Sequence, residues 1–596
     1  MRYGEHNTSV ETQSDGTLLY QAVTPLGTVA DTTSVWLHKW AVERPSATFL
    51  AERSGDGWRT VSYAEALEMV RAIGGSLIER GLTAETPILV ISGNSVDHAL
   101  LALAAHYVGV PTVPVAEQYS LIPQARSRLI EAAELVNPAM VFAQDTDRYG
   151  AALELFPEKD RVVVQGTGYT TIADLAKGST TDVDAAHGLV GPDSVAKILL
   201  TSGSTSAPKA VPTTHKMMCT NQAQLALALP FLQDRPPVVV DWLPWNHVFG
   251  GSHNFNAILA NGGSFYIDEG KPTPALIGRT VENLKLQSGS LAFNVPVGFA
   301  LLLKEFDRDP ELAKSYFSDL DMMFYAGASL PQDVWEGFEK YALKYRGALP
   351  LMTSSWGLTE TAPACLMQQE PIRKSGIVGV PLSGITMKMI PNGDDRYEIR
   401  VKGPNIMTGY LNNPEKTAEA FDEDGYFITG DAMAFVDAQD PNKGLRFDGR
   451  ISEEFKLLTG TWVRAGALRM DVLAGLVPLA TDVVITGADL SEIGAMIFPD
   501  PGQLSALGFN GKSQDGIVTD ANILAVFAEK LTEMQKSGAS SSTRIARAVV
   551  LTEPASMPDG EMTAKGNLNF RKILTRRADI LDHLYQGGQG VITLGK

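Results

Sequence analysis

The chain has 596 residues, too many for one hydrophobic core, so two or more domains are expected. It is 44% hydrophobic and 20% charged, the balance of an ordinary globular protein. A net charge of −18 argues against nucleic acid or an anionic membrane as the main partner, though not against a local basic funnel for a small anion.

In chain order, residues 1–13 are polar and lack a signal-peptide apolar stretch. Helices are predicted at 34–44, 63–80 and 96–108, the second opened by Ser62 with Glu65 three residues on, a capping-box spacing. Aliphatic runs at 88–91, 140–142, 161–164, 195–200 and 238–240 read as strands. This alternation, which dominates 34–436, implies parallel sheet with helices on its faces. The apolar segment 100–115 suits a buried helix followed by a turn, and no run approaches the ~20 uncharged apolar residues of a membrane span. Cys219 and Cys365 are the only cysteines and fit small core residues in a reducing, cytoplasmic setting.

After Gly379 the texture shifts to short strands at 386–390, 397–401 and 445–447, as in a β-rich subdomain. A second shift at Asp448-Gly449-Arg450 opens a compact α+β unit, with strands at 483–485, 495–498 and 548–551 and an amphipathic helix at 523–534. Polar stretches 511–520 and 537–543 read as exposed loops inside it. The expected fold is α/β: a large N-terminal domain of mixed α/β sheets with a β-rich subdomain over 1–447, a joint at 448–452, and a small α+β C-terminal domain over 453–596.

The strand at 195–200 runs into Thr201-Ser202-Gly203-Ser204-Thr205-Ser206-Ala207-Pro208-Lys209, and a helix is predicted at 215–229. Strand, hydroxyl-rich turn, lysine and helix suit a polyphosphate, because N–H groups and hydroxyls wrap its oxygens while the lysine supplies countercharge. A plain Ser/Thr/Gly surface loop is the alternative. A Walker-type loop fails at Pro208 and Ala210, on either side of the lysine.

A second cluster, Ser354-Ser355-Trp356-Gly357-Leu358-Thr359-Glu360-Thr361, combines an aromatic ring able to stack on a purine, a glycine, a hydroxyl and a carboxylate. A carboxylate beside a triphosphate suits Mg²⁺, which prefers oxygen ligands. A helix start capped by Thr359 or Ser355 is the alternative. Three further segments are unremarkable alone: Tyr325-Ala326-Gly327-Ala328-Ser329-Leu330-Pro331, Gly425-Tyr426-Phe427-Ile428-Thr429-Gly430-Asp431 and Glu561-Met562-Thr563-Ala564-Lys565-Gly566-Asn567.

Taken in chain order, the five segments resemble the motifs of the acyl-adenylate-forming superfamily: acyl-CoA synthetases, peptide-synthetase adenylation domains and firefly-type luciferases. The phosphate loop departs from the family pattern at Ser206 and Ala210, where glycine is usual. The resemblance implies that Thr201, Ser202, Gly203, Ser204, Thr205 and Lys209 hold the ATP phosphates, and that Gly327, Ala328 and Ser329 wall the adenine. It places Trp356 on the adenine, Ser355, Gly357 and Thr359 around the nucleotide, and Glu360 with Thr205 on Mg²⁺. Asp431 and Arg450 are implied at the ribose. Lys565 is implied as the catalytic lysine between substrate carboxylate and α-phosphate, with Thr205, His247 and Glu360 completing the catalytic set.

The stretch Leu243-Pro244-Trp245-Asn246-His247-Val248-Phe249-Gly250-Gly251-Ser252-His253-Asn254-Phe255, with Gly270-Lys271-Pro272 and the segment 449–463, looks like the feruloyl-CoA synthetase branch. That implies an acid pocket of His247, Phe249, Phe293, Val295 and Gly357; structural hydrogen bonding in a Trp/Phe-rich core is the alternative for His247 and His253. It also implies a mobile C-terminal domain turning on Ser452, so that Gly460 meets the pantetheine in the thioester step as Lys565 withdraws. Ala467-Leu468-Arg469 departs from the family there. The implied activity is an acid–CoA ligase using ATP, Mg²⁺ and coenzyme A on ferulate or a related hydroxycinnamate. The implied partners are a small carboxylic acid, ATP and CoA, with neither nucleic acid nor membrane, in a monomer or homodimer. Rival readings are adenylation of another aryl or medium-chain acid, loading of a separate carrier protein, and a non-catalytic nucleotide-binding protein. A luciferase-like oxygenase has no supporting residue.

Overall fold

The computed structural model describes residues 2–202, 208–327, 329–393, 395–536, 538, 540–556, 559–562 and 568–595. The chain forms two compact units, the first comprising Met1–Pro391, Ile399–Thr429 and Phe435–Arg446. The second comprises Asn392–Glu398, Gly430–Ala434 and Phe447–Lys596, so the division is not a single cut.

The first unit is built on two sheets. In the larger, the parallel strands Leu351–Gly357, Met322–Tyr325, Leu291–Asn294, Val238–Asp241, Ser264–Ile267 and Thr48–Ser54 lie side by side. Met322–Tyr325 and Leu291–Asn294 are buried along their whole length, as parallel strands covered on both faces require, while Val238–Asp241 and Ser264–Ile267 alternate buried and half-buried residues. Beyond Leu351–Gly357 the sheet turns antiparallel through Ala364–Met367 and Ile377–Pro381. The smaller sheet orders Pro208–Thr214, Val195–Ser202, Thr112–Pro114, Ile88–Val90, Met140–Asp145, Asp160–Gln165 and Thr170–Thr171, parallel except for its first pair.

The predicted helices occur at Ser34–Glu43, Tyr63–Glu79 and Val96–Tyr107, and the Ser62/Glu65 capping box closes in both directions. Several strands escape the sequence reading, among them Ser264–Ile267, Leu291–Asn294, Met322–Tyr325 and an N-terminal hairpin. Thr8–Thr12 pairs with Leu18–Ala22, which in turn pairs with Thr386–Pro391. Only Tyr20 of this hairpin is fully buried, so its polar edge carries no aliphatic signal.

The second unit has a four-stranded sheet of Ala480–Thr486, Ile493–Pro499, Ile545–Val550 and Val591–Thr593. Helices Ala465–Leu476 and Ala521–Gln535 pack on it through Leu468, Val472, Leu476, Ile523, Phe527 and Leu531. The reading of 511–520 as an exposed loop is corrected. Ser513–Gln514 pairs with Ile517–Val518, and Ile517 and Val518 are buried against the sheet because two β-branched side chains sit together in an otherwise polar stretch. Both cysteines are buried in the first unit, and burial pushes both thiols up to about 12.

Candidate active site

Four neighbouring parallel strands of the larger sheet end level with one another. Asn294 pairs with Tyr325 and Tyr325 with Ser354, so Val295, the turn after Tyr325, and Ser355, Trp356 and Gly357 emerge together at the carboxyl edge. Val238–Asp241 leads out on the same side into the segment that carries His247. The carboxyl edge of parallel strands is where open α/β sheets bind ligands, since the loops there diverge and leave a crevice.

Gly357 is required by its surroundings: a Cβ there would lie 1.8 Å from the Pro363 carbonyl oxygen. The cap alternative for this motif is corrected, because Leu351–Gly357 is a strand and only Thr359–Thr361 makes a short helical turn. Gly327 follows Met322–Tyr325 with φ +90°, a conformation glycine adopts without cost.

Lys209 lies on Pro208–Thr214, the antiparallel partner of Val195–Ser202. The strand–turn–lysine–helix reading is corrected here: a second strand intervenes, and helix His215–Ala228 begins only after the Thr214 cap. The segment around Tyr410 then joins this hairpin to the Glu360 turn. Leu411 N–H donates to the Ala210 carbonyl at 2.9 Å, and Met407 N–H to the Glu360 carbonyl at 2.8 Å. The Tyr410 hydroxyl donates to the Glu360 carboxylate at 3.0 Å, and the Lys209 ammonium sits 4.7 Å from the Tyr410 ring centre. Burial, reinforced by the Glu360 charge, raises the Tyr410 phenol well above its usual range, so it remains a donor. Sequence reading missed Tyr410; a lone tyrosine after a glycine carries no periodic or charge signal. Gly203, Ser204, Thr205, Ala328 and Lys565 lie outside the described residues.

The segment after Val238–Asp241 builds a buried aromatic cluster. Phe249–Asn254 forms a π-helical turn, a geometry frequent at functional sites. It packs tightly on the preceding loop, since a Cβ on Gly251 would lie 2.1 Å from the Trp245 carbonyl oxygen. The Phe249, Phe293 and Phe324 rings surround His253, with centroids 5.7, 5.8 and 4.7 Å from its imidazole. His253 Nδ1 bonds to Asn254 Oδ1 at 2.9 Å, and Asn254 Nδ2 donates to Asp241 at 2.8 Å. The amide oxygen can only accept, so His253 carries its proton on Nδ1. Burial lowers the imidazole to about 4 and raises the Asp241 carboxyl to about 7. His253 is therefore a neutral, hydrogen-bonded core histidine, as the structural alternative held. His247 is half-buried, and its Nδ1 accepts from Phe249 N–H at 3.3 Å. Val295 precedes the Pro296–Arg308 helix, whose Phe299 is buried in a different cluster behind the sheet.

In the second unit, Arg450 Nε and Asp431 lie 3.3 Å apart. Ser452 occupies the short turn Ile451–Glu453. Gly460 sits at φ +86° in the loop closing the Phe455–Lys456 and Trp462–Val463 hairpin. Arg469, where the family pattern is broken, makes an ion pair with Asp482 at 2.7 Å. Among the described residues no helix is long and apolar enough to cross a membrane.

A large α/β unit with an extended sheet, followed by a smaller C-terminal unit, is the fold of the adenylate-forming enzymes. The adenylation and carrier didomain of carboxylic acid reductase from Segniliparus rugosus, bound to AMP, matches 94% of this chain and 83% of its own, with a TM-score of 0.72 at 19% identity. The chain belongs to the AMP-binding enzyme family, which it matches over residues 37–411, and so to the acyl-adenylate-forming ligases. Among curated relatives, luciferin 4-monooxygenase of Nipponoluciola cruciata is 29% identical over 62% of this chain and 68% of its own length. A 4-coumarate–CoA ligase of Oryza sativa subsp. japonica is 26% identical over 74% of this chain and 80% of its own.

Proposed function

We propose that the protein is an ATP-dependent acid–CoA ligase acting on ferulate or a related hydroxycinnamate. The observation that carries the reading is that Phe249 and Phe293, whose rings meet edge to face, and the Trp356-Gly357 strand end share one sheet edge. A planar aryl acid suits such an edge, each ring contact contributing about 0.5–1.5 kcal/mol. The likeness to a 4-coumarate–CoA ligase supports the same substrate class.

A carboxylate is a poor acyl donor because oxide would have to leave. Attack of the substrate carboxylate on the α-phosphorus of ATP forms acyl-AMP and expels pyrophosphate; the CoA thiolate then attacks the acyl carbon and expels AMP. Lys209 and the loop before it hold the phosphates, Trp356 faces the adenine, and Asp431 with Arg450 takes the ribose hydroxyls. Lys565 neutralises the charge that grows on the α-phosphate. His247 stands at the pocket entrance and directs the carboxylate.

Glu360 accepts one hydrogen bond among the described residues, from Tyr410, which leaves carboxylate oxygen lone pairs for a hard cation. Glu360, with Thr205, would hold Mg²⁺, which when bound offsets the phosphate charge. The small domain, starting at 448–452 with Ser452 as its hinge, turns between the two half-reactions and brings Gly460 in as Lys565 leaves.

Pyrophosphate release with a panel of hydroxycinnamic, benzoic and medium-chain acids, with and without CoA, tests this. Release with ferulate or coumarate and a CoA-dependent thioester absorbance is expected. Release with other acids alone discards the substrate. Release without a CoA thioester replaces CoA by a carrier protein, and silence with ATP binding intact leaves a nucleotide binder.

A further inference from the structure

Inside the first unit lies a cavity of about 20 Å³ that no step of the ligase reading uses. Its lining includes Lys197, Trp245, Asn256, His98 and His106. That volume holds one water molecule or one ion of similar size.

The lining is rich in donors and poor in negative charge. Lys197 reaches in from the strand Val195–Ser202, and its ammonium donates one hydrogen bond, to the Gly251 carbonyl. Its other polar neighbours are not carboxylates: no Asp or Glu lines the cavity among the described residues. The ammonium also stands 5.9 Å from the centre of the Phe255 ring. Trp245 Nε1 and Asn256 Nδ2 are both buried donors with no hydrogen-bond partner among the described residues, on side chains 4% and 3% exposed. Native interiors rarely leave two such donors orphaned beside an unpaired buried cation.

The two histidines do not repair the imbalance. His98 is 3.2 Å from the Gly93 carbonyl through Nδ1, and His106 Nε2 is 3.0 Å from the Thr112 hydroxyl. Burial, the largest cause, drives both imidazoles down and keeps them neutral. Burial alone acts on Lys197, lowering it to about 8, so at neutral pH the ammonium is charged and no described carboxylate offsets it.

A water molecule in the cavity would leave that charge uncompensated and would bring two more hydrogens needing acceptors. A monatomic anion accepts from all three donors and neutralises the ammonium. We propose that this cavity binds a small inorganic monovalent anion of the chloride class, held by Lys197 Nζ, Trp245 Nε1 and Asn256 Nδ2. Beside the Lys197–Gly251 bond, which joins the strand Val195–Ser202 to the π-helical turn Phe249–Asn254, the bound anion neutralises the ammonium that makes that bond. Binding of the anion does not depend on which acid the enzyme activates.

The test uses the full-length protein and sodium bromide. Crystals soaked in bromide and measured at the bromine absorption edge should show an anomalous peak beside Lys197 Nζ. In solution, chloride or bromide replacing gluconate at constant ionic strength should raise the thermal midpoint saturably, by roughly 2–3 °C at a hundredfold excess over Kd. Sulfate, too large for the cavity, should not. Lys197→Met should abolish the halide dependence. Should that variant not fold, Asn256→Leu should weaken half-saturation about tenfold. Water alone in the cavity, a halide response undiminished in the folded variants, or a bromide peak without a solution response (an adventitious ion only) each overturns the proposal.

Discussion

The Tyr410 hydroxyl donates to the Glu360 carboxylate at 3.0 Å, from a ring that also lies 4.7 Å from the Lys209 ammonium. One side chain thus holds in place both the carboxylate assigned to the metal and the lysine assigned to the phosphates. Tyr410→Phe keeps the ring and removes the hydrogen bond to a charged group, worth about 1.5–3 kcal/mol. Pyrophosphate release should fall about tenfold or more, with a higher Mg²⁺ concentration needed for half-maximal rate. Tyr410→Ala, which also removes the cation–π contact, should be slower still; equal rates in wild type and both variants would remove Tyr410 from the site.

Gly357→Ala tests the packing of the strand end. The added methyl would fall 1.8 Å from the Pro363 carbonyl oxygen, so the backbone must move. A loss of about 1–3 kcal/mol in urea unfolding is expected, with acyl-AMP formation reduced further than stability alone explains. An unchanged midpoint together with an unchanged rate would mean the two segments separate freely.

Lys565→Ala separates the half-reactions. Loss of a group that stabilises charge only in the transition state costs about 10²–10³-fold. That loss should appear in pyrophosphate release and not in thioester formation from supplied acyl-AMP. Equal losses in both steps would contradict the withdrawal of Lys565 before CoA attack.

Acid should destabilise the first unit. His98, His215 and His253 are each lowered to about 4 by burial, against about 6.5 in the unfolded chain. Their depressed values contribute stability that is whole above pH ~6.5 and is lost as pH falls toward ~4. Asp241 works in the opposite sense: its carboxyl, raised to about 7, contributes stability that fades as pH rises through that value. Burial also lowers His106 and raises the Asp268 carboxyl, so lowered imidazoles still outnumber raised carboxyls, and stability in urea should be lower at pH 5.5 than at pH 7.5, by about 1 kcal/mol per histidine before the carboxyl offset. His253→Gln should flatten the profile by one proton's share. A wild-type profile flat from pH 7.5 to 5.5 would show that these imidazoles are reached by solvent.

The strands at 88–91, 140–142, 161–164, 195–200 and 238–240 and the first three helices were readable in the residues, because aliphatic runs and amphipathic periods mark them, whereas Ser264–Ile267, Leu291–Asn294 and Met322–Tyr325, short and mixed with aromatic, methionine or polar residues, were not. The Ser62 capping box was readable for the same kind of reason, being a contact between positions three residues apart. The N-terminal hairpin and the Ser513–Gln514 pairing were not, since edge strands with few buried side chains resemble loops.

The candidate site divides along the same line. Trp356, Gly357, Thr359 and Glu360 are close in sequence, so their grouping is a local property of the chain. Tyr410 against Glu360, Lys197 against Gly251, and Asp241 through Asn254 to His253 are long-range or turn-dependent contacts. The sequence by itself determined which segments fold locally and which motifs carry the chemistry. Only the tertiary structure decided which buried polar groups face one another, because that depends on how strands far apart in the chain are ordered in a sheet and where their ends align.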